Sequence, residues 1–209
     1  MNKKTCLPSL FILPLLFFGT AQAQEMSFFI TSTNPNGGNL GGLAGADGFC
    51  EGMAATAGAG GKTWRAYLST STVNARDRIG SGPWYNVNGV MISPSVQELH
   101  SAAVNLTSDA ALDQNGNMPN YIDADGEAAQ PLQHDVLTGT NENGTAADAT
   151  CNNWTSNSAD DTAMLGHADR RGRTAGVNSW NAVHASQGCD MPSLAATGGA
   201  ALFYCFAID

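Results

Sequence analysis

Apolar residues in this chain come in short bursts separated by polar, glycine-rich stretches, and the bursts carry two different periods. Met26–Thr33 is dense in apolar and β-branched residues and predicts a strand, ended by the turn cluster Asn34-Pro-Asn-Gly-Gly38. Gly45–Ala57 has helical spacing, with Phe49, Met53 and Ala54 sharing a face with Cys50, and Gly58, Gly60 and Gly61 close it. Thr63–Ser69 alternates Trp64, Ala66 and Leu68 against Thr63, Arg65 and Tyr67, the pattern of a half-buried strand. Asn74–Ile79 fits a helical turn, and Pro83-Trp-Tyr starts a hairpin about Asn88-Gly89. Residues 101–132 are polar, weakly periodic and read as an insertion or long loop. The closing run Ala200–Ala207 predicts a buried central strand. Short strands, one or two helices and long loops make an α+β domain, and no internal repeat or heptad pattern appears.

The first 23 residues read as an export leader. Met1-Asn-Lys-Lys4 is a short basic region, Leu10–Phe18 is apolar, and Ala21-Gln22-Ala23 is a small-x-small cleavage site. The apolar run is about half of the ~20 residues that cross a bilayer. Cys6 precedes this run, which argues against a lipoprotein anchor. The expectation is a soluble secreted or periplasmic protein, one domain over residues 24–209.

Cleavage would remove Lys3 and Lys4 from nine basic residues and none of the 18 acidic ones, leaving seven against 18, a formal −11. Such a balance excludes nucleic acid as an expected partner, because phosphates demand a basic face. It also argues against anionic membrane surfaces. With only 13% of residues charged and 24 glycines, a loop-rich domain fits better than a helical bundle.

Four cysteines remain after the leader: Cys50, Cys151, Cys189 and Cys205. In an oxidising compartment they read as two disulfides, and spacing alone permits three connectivities. Five ordered blocks carry a resemblance. They are Gly42-Leu-Ala-Gly-Ala-Asp-Gly-Phe-Cys50, Trp64-Arg-Ala-Tyr-Leu-Ser69, Thr138-Gly-Thr-Asn-Glu-Asn-Gly144, Cys151-Asn-Asn-Trp154 and Phe203-Tyr-Cys-Phe206. Together they resemble the endostatin domain of vertebrate collagens, and still more a family of bacterial exported proteins with that C-type-lectin-like fold. The resemblance spans residues 26–209, with 101–136 its poorest part. It implies nested bridges, Cys50 with Cys205 and Cys151 with Cys189.

The chemistry is sparse. None of His100, His134, His167 and His184 forms a close zinc pair such as H-E-x-x-H, and no nucleophile elbow, P-loop or dinucleotide turn is present. With four cysteines bridged, none is spare as a nucleophile. The N-terminal histidines that hold zinc in endostatin have no counterpart between Gln24 and Gly38, so no metal is expected. His134 and His184 read as loop or satisfied core residues.

Calcium-dependent lectins of this fold place paired carboxylate and amide ligands before their third and fourth cysteines. Here Asn141-Glu142-Asn143-Gly144 precedes Cys151, and Trp180-Asn181-Ala182 precedes Cys189, with Ala182 where the second carboxylate would stand. No cofactor is expected, calcium included. Asp113–Asn117 and Asp123–Glu127 are partial ion-loop patterns that read as solvated turns.

Arg170, Arg171 and Arg173 form a basic cluster suited to sulfated or carboxylated glycans. Its bland reading is a loop paired with Asp160, Asp161 and Asp169. Trp154 and Trp180 read either as sugar-stacking rings or as packing against the inner disulfide. The leading expectation is a non-catalytic recognition module for a glycan or a matrix-like surface, through Asn141, Glu142, Asn143, Trp154, Arg170, Arg171, Arg173, Trp180 and Asn181. An envelope scaffold without a small ligand, or a hydrolase using Glu142, Asp148 and Asp135, are the alternatives.

Overall fold

The computed structural model describes Met1 and residues 25–123, 125–171 and 179–209. The rest of the leader expected over 1–23, and Arg173, lie outside the described residues. The fold is α+β. Its spine is the last strand, β8 (Gly199–Ala207), a nine-residue run that is buried at every position but Ala200. β8 pairs antiparallel with β1 (Phe28–Ile30) and β2 (Trp64–Ala66), and parallel with β5 (Asp135–Leu137). β6 (Met164–His167) pairs antiparallel with β5, and β7 (His184–Ala185) with β6, so the sheet runs β1-β8-β5-β6-β7 with β2 also on β8. A continuous apolar strand buried on both faces is the sequence signature expected of such a central position.

The expected hairpin forms as β3 (Trp84–Tyr85) and β4 (Met91–Ser93), and the helical turn as a 3₁₀ turn at Ala75–Asp77. Helix α1 (Gly42–Thr56) begins three residues before the predicted start. It buries Ala46, Cys50 and Ala54, an i, i+4, i+8 stripe of small side chains. That narrow stripe lets the helix lie close to β2, while Phe49 and Met53 pack along its flank. Asp47 fastens the helix to the strand. Its carboxylate accepts the Ala66 amide at 2.9 Å and both Nη2 contacts of Arg78 at 2.8 Å, and Arg78 Nη1 also donates to the Ala66 carbonyl.

Both disulfides join the residues that the resemblance implies. Cys50–Cys205 ties α1 to β8, and Cys151–Cys189 closes the 38-residue separation that contains β6 and β7. The inner bridge anchors an uncommon piece of backbone. Cys151, Asn152, Asn153 and Trp154 (α3) all have positive φ, from 48° to 67°, a left-handed turn of four non-glycine residues. Each such residue costs on the order of 1–2 kcal/mol. The turn survives because it is over-determined. Thr150 Oγ1 accepts the Asn153 amide, Asn153 Oδ1 accepts the Ser71 amide, and Trp154 Nε1 donates to the Ser69 carbonyl at 2.6 Å.

Between the short helix α2 (Val96–Leu99) and β5 the described residues form no strand or helix, as the weak periodicity predicts. The segment nonetheless belongs to the core. Val104, Leu106, Ala110, Ala111, Leu112, Tyr121 and Ile122 are buried, and the Leu112 carbonyl accepts the amide of Ile30 in β1 at 2.9 Å. Its isolated apolar residues point inward from irregular backbone, which leaves no period to detect. Finally, α4 (Met191–Thr197), capped by Asp190 and ended by left-handed Gly198, leads into β8.

In the loop-closure description the outer bridge contributes about 5 kcal/mol and the inner one about 4 kcal/mol, because stabilisation grows with loop length. Urea denaturation of Cys50→Ala/Cys205→Ala and Cys151→Ala/Cys189→Ala should show the larger loss for the outer pair. A larger loss from the inner pair would show instead that the left-handed turn at 151–154 unravels without its staple.

Candidate functional site

All four tryptophans are buried, and each indole N–H donates to a backbone carbonyl: Trp64 to Ala59, Trp84 to Ala207, Trp154 to Ser69 and Trp180 to Leu99. Trp154 is fully enclosed, so its ring serves the core and offers no face to a ligand. Trp180 is 4% exposed and packs among Tyr67, His100 and Tyr204. It sits where the chain crosses β6 so closely that a methyl group on Gly166 would overlap the Trp180 carbonyl. Glycine is required there for close approach rather than for an unusual φ.

Beside it, Asn181 organises the surrounding loops. Its backbone carbonyl accepts the hydroxyls of Thr138 (2.6 Å) and Thr140 (3.0 Å). Its side-chain amide donates to the Asn141 and Glu142 carbonyls (3.1 and 3.2 Å) and to the Tyr67 hydroxyl (3.0 Å), and Ser179 donates to its oxygen. Asn181 is 1% exposed. Losing its amide would take the donor from the buried Tyr67 hydroxyl and from two part-buried carbonyls, at roughly 1–3 kcal/mol for the buried group and less for the others.

This clamp sets the Asn141–Gly144 turn against α2 and the segment after it. His100, Glu142, Arg170, Trp180 and Asn181 thereby line one shallow hollow of about 270 Å³, with Val104 at its floor. Four residues singled out in the sequence thus meet in space. Asn141 and Asn143 are exposed on the same turn but bond locally, Asn141 to the Ala146 carbonyl and Asn143 to the Thr145 hydroxyl and amide. Arg170 Nη1 donates to the Val104 carbonyl and Arg171 Nη1 to the Asp123 carbonyl, so both arginines tie the 101–132 segment to the end of β6. Asp113 and Asp123 accept amides two and four residues ahead, capping their own turns.

His100 was not among the expected ligand residues, and only its position after the buried Leu99 hints at it. Its Nδ1–H donates to the Val96 carbonyl at 2.8 Å, which leaves Nε2 to accept the Tyr67 hydroxyl at 2.7 Å. Burial pushes the Tyr67 phenol up, well out of reach of neutral pH, so it stays a donor. Burial holds the His100 imidazole below its ordinary value of 6.5, with the Arg76 guanidinium adding to the effect.

Of the carboxylates expected under a hydrolytic reading, Glu142 and Asp148 are exposed in the 141–148 loop, whereas Asp135 is 1% exposed. Asp135 has company that spacing does not reveal. His134, Asp135 and His167 bring ligand atoms within 4.8 Å of one another and could hold a metal ion, with His184 at the margin. His134 and His184, expected as loop or satisfied core residues, therefore share one cluster. Neither Asp135 oxygen has a hydrogen-bond partner. The neighbouring Asp169 is pushed up by burial, but hydrogen bonds from His134 and the Ile122 and Arg171 amides outweigh this and hold it below the usual carboxylate range.

A histidine with a lowered folded pKa stays neutral while the unfolded chain takes up a proton. His100 thus contributes stability that is full above about pH 6.5 and is lost as pH falls from there towards its folded value. Urea midpoints measured from pH 7.5 to 5.5 should fall, and His100→Gln should flatten part of that slope. An unchanged slope would mean that His100 does not couple folding to protons.

The sequence model of a family described as "Protein of unknown function (DUF1554)" matches residues 33–173, more than half of the chain and inclusive of β2, β5, β6 and the Asn141–Gly144 turn. No curated protein matches the chain. Among the described residues no helix is long and apolar enough to cross a membrane, and the two disulfides fit an oxidising compartment. The chain belongs to the DUF1554 family.

Proposed function

We propose that this is an exported recognition domain of C-type-lectin-like, endostatin-like architecture, and that the hollow between His100 and Asn181 takes a hydroxyl-rich glycan without calcium. The observation that carries the reading is the convergence of Glu142, Arg170 and His100 around a hollow floored by apolar Val104 and Trp180. A carboxylate accepts sugar hydroxyls, a guanidinium donates to them, and an apolar floor suits the ring's C–H face. Support for the architecture comes from the nested bridges and from the antiparallel pairing of the first and last strands. Support for a binding role comes from the way the loop is held, since Asn181 presents the Glu142 backbone rigidly on the strand core.

Arrayed glycans with and without chelator, followed by calorimetry on the best binder, test this directly. Glu142→Gln and Arg170→Ala should each weaken binding about tenfold or more, the worth of a hydrogen bond to a charged group. Glu142→Gln should leave the thermal midpoint within a degree or two, because this side chain is exposed. Affinity unaltered in both variants, or no glycan bound at all, would remove the reading.

A further inference from the structure

We propose a zinc-type metal site built from His134, Asp135, His167 and His184, on the β5–β6–β7 side of the sheet. The site does not rest on the glycan reading. Asp135 and His167 face each other across the β5–β6 ladder, and His184 opens β7 opposite Leu165. His134 immediately precedes β5, outside its ladder with β6. Not held to the alternation of the strand, its ring reaches the Asp135 side, with Nε2 3.3 Å from Oδ1.

The distances around His134, Asp135 and His167 approach those of a coordination shell, and His184 stands at its margin. Asp135 Oδ1 lies 3.3 Å from His134 Nε2, 3.2 Å from His167 Nε2 and 3.7 Å from His184 Nε2, and His167 Nε2 lies 3.3 Å from His184 Nε2. Four ligands at about 2.0–2.1 Å around a tetrahedral ion stand roughly 3.3–3.4 Å apart. The far nitrogens are already committed. His134 Nδ1 faces the Asp169 carboxylate at 3.3 Å, His167 Nδ1 donates to the Arg171 carbonyl at 2.6 Å, and His184 Nδ1 donates to the Ala185 carbonyl at 3.1 Å. Such outer partners fix the tautomer that leaves each Nε2 lone pair directed at the ion.

Without an ion the arrangement is poor physical chemistry. Bare lone pairs and a carboxylate would crowd together, and Asp135 would stay buried with both oxygens unsatisfied. A divalent cation relieves the repulsion and supplies the missing partner. Three imidazoles and one carboxylate suit zinc and its borderline neighbours, whereas calcium and magnesium prefer shells of oxygen. With His184 drawn in as the fourth ligand the shell closes, which makes the role structural: the ion joins three short strands, one of only two residues, in the part of the sheet next to Arg170 and Asn181.

The test is zinc titration of the chelator-stripped chain, by calorimetry and thermal melting, with calcium in parallel. One zinc per chain should bind. At a hundredfold excess over Kd the melting temperature should rise by about 5–10 °C, with no effect from calcium. Asp135→Asn, close in shape but uncharged, should lose most of the affinity. Should it fail to fold, His184→Ala keeps the test decisive, because His184 is more than a third exposed and its loss should weaken zinc at least tenfold. Absence of zinc binding by the wild-type chain, or equal binding by wild type and His184→Ala, would overturn the site.

Discussion

The antiparallel closure of β1 and β2 onto β8, riveted by Cys50–Cys205, is the constraint on which everything else hangs. Strands of three residues cannot hold a sheet by their own ladders. Here the first and last parts of the chain are brought together by a covalent bond, and the aromatic side chains of Phe28, Phe29, Trp64, Tyr67, Tyr204 and Phe206 then pack with ring centroids 4.8–6.4 Å apart. Burial of those rings stabilises the closure. The closure in turn provides a fixed edge, at Leu202 and Phe203, for the parallel pairing of β5. Parallel pairs need a long crossover, and the roughly sixty residues from Leu137 to Gly199 serve as one.

From β5 outwards, regular structure is scarce and the chain is held at points. The inner disulfide fixes a left-handed turn, Asn181 clamps the 138–145 loop, and the His134–Asp135–His167–His184 cluster joins the outermost strands. Each fastening has a member in β6 or after it, namely Cys189, Asn181, and His167 with His184, and Arg170 and Trp180 from the same part of the chain line the hollow. A rigid core with loops pinned at few places is the usual arrangement for recognition surfaces.

Much of the strand core was legible because its signals are local. The run Ala200–Ala207 reads as a buried strand, Thr63–Ser69 alternates, and Asn88-Gly89 marks a hairpin, each within a window of eight residues. The disulfide pairing was legible through resemblance rather than spacing. The Glu142, Arg170, Trp180 and Asn181 grouping was partly legible, because loops near an inner bridge draw attention, but His100 joins them only through its contact with Tyr67. Least legible was the histidine–aspartate cluster. Its members stand 33 and 17 residues apart in sequence, so their meeting is fixed by strand register, which leaves no short motif. His134-Asp135 directly before the apolar Val136-Leu137 was the single local hint.

Residue-resolved hydrogen exchange tests most directly whether the loops are fastened at points to a covalently closed strand core. The amides of Phe29, Ala66 and Tyr204–Phe206 should exchange only through global unfolding. Asn181→Ala should speed exchange at Gly144 and Ala147 by about ten- to a hundredfold while those core amides keep their protection relative to global stability. Uniform acceleration across core and loop, or an unchanged loop in Asn181→Ala, would contradict it.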